Sequence, residues 1–129
     1  MTVKTSPRSV DDTVSRMVEV LEAKGVKLFA VIDHSGEAEV VGLELRNTKV
    51  VIFGNPIAGT PVMAAMPLAA LDLPLKVLVW DDGGETKLAY TAPTELAARY
   101  DLSDELAARL AAVDVITDAV IEEELPSGG

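Results

Sequence analysis

His34 is the only histidine of the 129-residue chain, and it stands in the segment Asp33-His34-Ser35-Gly36, at the end of a predicted strand. Glu37 follows three residues later, so on a helical turn the two side chains would share a face. Such a pair could share a proton or contribute to a metal site. One pair is a weak metal signal, because protein metal sites generally use three or four ligands. The simpler interpretation is a polar strand end whose imidazole bonds to backbone, and no resident metal is predicted.

A second region with possible chemistry follows the apolar run Val50–Phe53. Its spacing superficially resembles a phosphate-binding loop, but no lysine precedes Thr60, and the two prolines of the loop remove amide donors. A nucleotide site is therefore not predicted, and a tight exit from a buried strand is preferred. The candidate ligand-binding residues of this region are His34 from the strand before it, with Gly54, Asn55, Gly59 and Thr60.

An enzyme hypothesis joins these two regions. If the strand ends that carry His34 and Asn55 converge, a small-molecule or metal-dependent enzyme would have its site between His34 and the Gly54–Thr60 loop. The alternative for Asn55 is structural, because asparagine side chains commonly satisfy the backbone of their own turn. No catalytic residue is assigned, and the enzyme hypothesis is the second of two that the sequence leaves open.

Hydrophobic periodicity predicts the elements that must position these residues. Both faces of the second strand are apolar, so both are expected to be at least partly covered. The predicted strands are Met1–Ser6, Val26–Ile32, Lys49–Phe53, Leu75–Trp80 and Thr86–Thr91, with a hairpin turn at Asp81-Asp82-Gly83-Gly84 before the last strand. The predicted helices are Val10–Lys24 after a capping box of Ser9 and Asp12, Gly36–Val41 after a Ser35 cap, Pro61–Met66 after a Thr60 cap, a turn from Pro93 to Tyr100, and one continuous last helix after Ser103.

This order of elements favours the α+β class. The expected architecture is one sheet rich in antiparallel pairs, with the two long helices packed on one face. The length suits a single domain, placed at residues 1–125, with residues 126–129 as a disordered tail.

The segment from Ile57 to Leu71 is apolar almost throughout, and it is expected to be buried against the sheet, a partner, or both. That expectation motivates the favoured hypothesis, a non-enzymatic module that binds a small ligand or a protein and acts as a homodimer.

Composition excludes several classes of function. The formal net charge of −10 disfavours nucleic acid as a partner, since an acidic surface repels phosphate. No apolar run approaches the length of a membrane helix, and the first residues lack the apolar core of a secretion signal, so no membrane association is expected. The absence of cysteine is compatible with the cytoplasm, the expected location. No cofactor is predicted.

Five segments carry a family pattern in combination: Phe53-Gly54-Asn55-Pro56, Gly59-Thr60-Pro61, Ala69–Lys76, Ile32–Ser35 and Gly42–Leu45. Together they resemble the DUF302 domain, a bacterial and archaeal family. The resemblance spans roughly residues 1 to 120, and it implies a TBP-like β-α-β4-α fold, a homodimer and no established activity. Ile57 and Met66 depart from the pattern, and both make the loop less polar.

Overall fold

The computed structural model describes residues 1–122, which form one five-stranded antiparallel sheet with helices on one side. The strand order is β1-β5-β4-β3-β2. The predicted α+β class with an antiparallel sheet is confirmed, and the predicted tail at residues 126–129 lies outside the described residues. The strands are β1 Thr2–Ser6, β2 Lys27–Asp33, β3 Thr48–Gly54, β4 Leu75–Asp82 and β5 Glu85–Tyr90.

The described part of the chain also contains six α-helices and one 3₁₀ turn. The 3₁₀ turn spans Pro67–Asp72 and follows the third helix. The helices are α1 Val10–Ala23, α2 His34–Val40, α3 Pro56–Ala65, α4 Pro93–Tyr100, α5 Asp104–Ala108 and α6 Ala112–Ile121.

The prediction of one continuous last helix is wrong, because a turn separates α5 from α6. Two different apolar clusters explain the break. Leu110 is buried against Val62 and Leu96, whereas Val113 and Ile116 are buried in the main core with α1. A single straight helix presents one apolar stripe, so the chain must turn to reach both clusters.

The main core lies between α1, α6 and one face of the sheet. Met17 and Leu21 of α1 pack with Val51 and Phe53 of β3, and all four are almost fully buried. The capping interaction predicted for α1 is present, since the Ser9 hydroxyl accepts a hydrogen bond from the Asp12 amide at 3.1 Å.

Two predicted helix caps are wrong, and in both cases the helix begins earlier. Asp33, not Ser35, caps α2, since its Oδ1 accepts a 2.9 Å hydrogen bond from the Gly36 amide. Asn55, not Thr60, caps α3, and Thr60 lies inside that helix. Asparagine and threonine are both favourable N-cap residues, and proline is favourable at the next position. The local sequence therefore did not decide between a helix that begins after Asn55 and one that begins after Thr60.

The expected burial of the apolar segment Ile57–Leu71 is only partly correct. Val62 and Ala69 are buried against α4 and α5. Ile57 is 81% exposed and Leu71 76% exposed. The segment is short and packs on one side only, which leaves its outer residues in water.

Both faces of β2 were expected to be at least partly covered, and the large apolar side chains on them are covered only in part. β2 forms an edge of the sheet, and every one of its residues is exposed. A bulge at Phe29 interrupts its pairing with β3 between Leu28 and Ala30. An apolar edge strand of seven residues is unusual, because natural proteins generally protect such edges with charges or prolines.

Gly59→Ala is expected to stabilise the protein by about 0.5–1 kcal/mol, because glycine inside a helix costs conformational entropy. A Cβ at this position of α3 would meet only Met63 Cε, at 3.9 Å, which is an ordinary contact. Urea unfolding measures the change. Gly83→Ala is the control and is expected to destabilise, since Gly83 has a φ of +65° in the β4–β5 turn. Equal effects of the two substitutions would contradict this account.

Candidate functional site

The structure places His34 and the Gly54–Thr60 loop at opposite ends of β3. Asp33, which immediately precedes His34, pairs with Lys49 near the start of this strand, whereas Gly54 is its last residue. Five residues of extended chain correspond to about 17 Å. The predicted site between His34 and the loop is therefore wrong in its geometry. Because β2 and β3 are antiparallel, the C-terminal end of β2 and the C-terminal end of β3 lie at opposite ends of the sheet.

His34 and Glu37 both lie in the exposed helix α2, three residues apart, as predicted. No group of three or more histidine, aspartate or glutamate side chains within residues 1–122 is arranged to hold a metal ion. The pair therefore has no third ligand among the described residues.

The first amides of α3 are engaged by Asn55, so they do not form an anion cradle. The Ile57 amide donates to Asn55 Oδ1 at 2.9 Å. The amides of Ala58 and Gly59 donate to the backbone oxygen of Asn55 at 2.9 and 2.8 Å. Pro56 has no N–H, so the capping role predicted as the alternative for Asn55 is the one that the structure shows.

A cleft of about 230 Å³ opens beside α3. Its walls come from the end of β3, the start of α3, the residues that lead into β4, and the turn between α5 and α6. Phe29 of the edge strand closes one side. The candidate residues that the structure brings together on its wall are Gly54, Asn55, Gly59 and Thr60.

Gly54 keeps this cleft open at its base. A Cβ there would lie 3.4 Å from Pro74 Cβ and 3.6 Å from Phe29 Cε2, so a side chain would fill the space between them. Most of the remaining wall is apolar, formed by side chains such as Met63, Leu73 and Leu110.

Arg109 is the one charged residue among the described residues that line the cleft. It follows α5, and its nearest carboxylate is the exposed Glu105, 4.0 Å away. Sequence reasoning missed this residue, because Arg109 is separated from the Gly54–Thr60 loop by about 50 positions and has no motif around it. The packing of Leu110 in one cluster with Val62 of α3 brings Arg109 to the cleft.

A hydrogen-bonded cluster behind the cleft ties the 3₁₀ turn to α4. The hydroxyl of Tyr100 and the guanidinium of Arg99 both donate to Asp72 Oδ2, the latter at 2.8 Å. The hydrogen bond from Tyr100, and after it the one from Arg99, lowers the pKa of Asp72 below its ordinary value. The same contact raises the pKa of Tyr100.

Asp72→Asn is expected to lower the melting temperature at pH 7 by about 3 °C, discounted for the solvent exposure of this cluster. Because the pKa of folded Asp72 lies below that of the unfolded chain, its contribution is complete above about pH 4. The contribution is lost as the pH falls through the lowered pKa. Melting curves of both proteins from pH 7 to pH 2 should therefore converge at the acid end, and a constant difference at all pH values would contradict the assignment.

A second polar cluster joins β1 and β5 to α6. Lys4 Nζ donates to Thr117 Oγ1 at 2.7 Å and to Asp118 Oδ1 at 2.8 Å, and lies 5.2 Å from the centre of the Tyr90 ring. Burial opposes the charge of Lys4, but hydrogen bonds to Asp118 and Tyr90 outweigh it, and the pKa of Lys4 is raised. The Tyr90 hydroxyl donates to Asp114. Each polar group here has a partner, so the cluster is structural.

The edge strand and the chain after it form a second surface of interest, which we call the β2 surface. It is defined by exposed large apolar side chains between residues 28 and 45. Leu28 and Val31 lie on the face of β2 that points toward α1, since they pair with the buried Phe53 and Val51. The members of the β2 surface are Leu28, Phe29, Val31, Ile32, Val40, Val41, Leu43 and Leu45.

Comparison with known proteins gives one family and one fold. Residues 1–120 match the family described as "Domain of unknown function DUF302". A crystal structure of an uncharacterised conserved DUF302 protein from Bacillus stearothermophilus superposes with a TM-score of 0.78 at 20% sequence identity, covering 93% of this chain and 94% of that one. At that identity the likeness shows the fold alone.

The chain is also similar to part of two longer curated proteins. It is 38% identical over 98 residues to "Fluoride-specific ion channel FluC 1" of Brucella suis biovar 1 (strain 1330), covering 75% of this chain and 39% of the relative. The protein of the same name in Brucella abortus biovar 1 (strain 9-941) gives the same identity, with 36% of the relative covered. The chain thus spans less than two-fifths of each. Within residues 1–122, no helix is long and apolar enough to cross a membrane.

Proposed function

This chain belongs to the DUF302 family, and from that premise we propose that it is a non-enzymatic binding module that acts as a homodimer and holds a small ligand. The observation that carries the dimer is the β2 surface. Its exposed fractions run from 37% for Leu28 to 80% for Val40. A monomer in water gains nothing from so many exposed large apolar side chains, whereas a subunit interface explains them.

The area of the β2 surface suits a dimer. Fully exposed large apolar side chains present roughly 150–200 Å² each, so the exposed fractions of its eight members correspond to roughly 700 Å². A standard interface buries about 800 Å² on each partner. Backbone groups on the outer side of β2 add to this, since edge strands offer N–H and C=O groups to another strand.

The occupant that we propose for this edge is a second copy of the chain. Antiparallel pairing of two identical strands generates a two-fold axis, the commonest symmetry of protein dimers. If the pairing is centred on Val31, Val31 lies opposite Val31 of the partner subunit, and Ala30 lies opposite Ile32 of the partner subunit, each pair on one face of the sheet. Apolar side chains then meet across the axis, an arrangement that stabilises an antiparallel pair.

Sedimentation velocity of the purified chain at micromolar concentration tests the proposal. The expected result is a species of twice the 13.6 kDa chain mass. A single monomeric species across a concentration series up to 100 times higher would overturn the homodimer, whatever the ligand result.

A second function is favoured by the Brucella relatives alone. We propose that the domain is an accessory module in proteins of that kind, since more than three-fifths of each relative lies outside the matched segment. Deleting the matched segment from the Brucella suis protein and measuring fluoride efflux from liposomes tests this. Retained efflux is expected, and its complete loss in a correctly assembled protein would contradict an accessory role.

A further inference from the structure

We propose that the cleft beside α3 binds a small carboxylic acid with an apolar body, held at its charged end by Arg109. This inference deepens the ligand-binding part of the proposed function and depends on it. It does not depend on the dimer, because the cleft walls come from a single chain.

The apolar walls of the cleft favour a ligand with an apolar body. Phe29, Met63, Leu73 and Leu110 contribute carbon surface from four separate elements. Each methylene group that leaves water for such a surface gains binding free energy. With a volume of about 230 Å³, the cleft lies below the common range of ligand pockets, roughly 300–1,000 Å³, so the ligand must be small.

The charges around the cleft favour a carboxylate as the polar end of the ligand. The chain carries a formal charge of −10, yet no aspartate or glutamate occurs among the described residues that line the cleft. The guanidinium of Arg109 matches a carboxylate in its planar arrangement of donors. Its present partner Glu105 is exposed and 4.0 Å away, a loose contact that a ligand can replace.

The position of α3 adds to this preference. The ten-residue helix begins at Pro56 on the cleft wall, so the positive end of its dipole faces the ligand. Its first amides are already bonded to Asn55, as described above. The helix therefore contributes a favourable potential, and Arg109 makes the direct contact.

Isothermal titration calorimetry with octanoate, 1-octanol and octylamine tests this inference. Octanoate is expected to bind about tenfold more tightly than 1-octanol, as one charge-assisted interaction allows, and octylamine is expected to bind weakest. Octanoate binding no tighter than that of 1-octanol, or tighter binding of octylamine, would overturn the assignment to Arg109.

Two variants and a control locate the binding. Arg109→Gln is expected to remove the tenfold advantage of octanoate while leaving 1-octanol unchanged, whereas Arg46→Gln, an exposed arginine outside the cleft lining, is expected to change neither. Gly59→Leu fills the cleft and is expected to abolish both interactions, with Ala58→Leu as the second choice if the first variant does not fold. Unchanged binding in a folded, cleft-filled variant would show that the ligand sits elsewhere and overturn the proposal.

The dimer and the ligand site can fail separately. Sedimentation of the same samples reports the subunit mass, and calorimetry reports the cleft. A dimer that binds no octanoate overturns the ligand inference alone, and a monomer that binds octanoate through Arg109 overturns the dimer alone.

Discussion

Ile32→Lys is expected to convert the homodimer into monomers, with the dissociation constant raised at least about 100-fold. Ile32 is 38% exposed on the edge strand, so lysine can be accommodated in the folded monomer. In the proposed dimer the same position faces Ala30 of the partner subunit, and the two-fold axis places two buried ammonium groups in one interface. Burying an unpaired charge costs several kcal/mol per group. Sedimentation velocity across a concentration series measures the change.

Val115→Lys is the matched control for this experiment. Val115 is an exposed valine of α6, 56% accessible and outside the β2 surface, so its replacement leaves the dimer intact. Loss of the dimer in both variants would point to a general effect of added charge and would contradict the β2 interface.

Phe53→Ala is expected to destabilise the protein by about 3–5 kcal/mol, the largest effect of any single substitution considered. The Phe53 side chain is fully buried on β3 and packs between the sheet and α1. Removing its ring leaves a cavity that the surrounding core can only partly close. Because the total stability of a domain is about 5–15 kcal/mol, the variant should unfold at a much lower urea concentration.

Phe29, the other phenylalanine of the chain, provides the control. It is 45% exposed on the edge strand, so Phe29→Ala is expected to cost less than about 1 kcal/mol when both variants are unfolded in urea at the same low protein concentration. Comparable losses for the two phenylalanines would contradict the burial that the fold assigns to them.

Features that depend on neighbouring residues were predictable from the sequence. The apolar stripe of α1 and its Ser9 cap were predicted and are present, and so is the β4–β5 turn at Gly83 and Gly84. These features follow from the helical period, from side chains that bond to nearby amides, and from glycine's tolerance of positive φ. The α+β class follows in turn, because it requires only the order of helices and strands.

Features that depend on distant residues were decided by the tertiary structure. The sequence predicts Val26–Ile32 as a strand with both faces at least partly covered, yet the strand order places β2 at an edge, where each of its residues stays exposed. Periodicity reports which side chains are apolar but not which neighbour a strand acquires.

The candidate site shows the same division. Its loop, Gly54–Thr60, was identified from glycine and proline positions, but His34 was wrongly added to it and Arg109 was missed. Antiparallel pairing places the ends of successive strands at opposite ends of the sheet. Arg109 comes close to the loop, about 50 residues away in sequence, because Leu110 packs in one cluster with Val62 of α3. The sequence by itself determined the helices, strands and turns and their local geometry. Only the long-range pairing of strands and packing of helices decided which of these elements lie next to each other at the site.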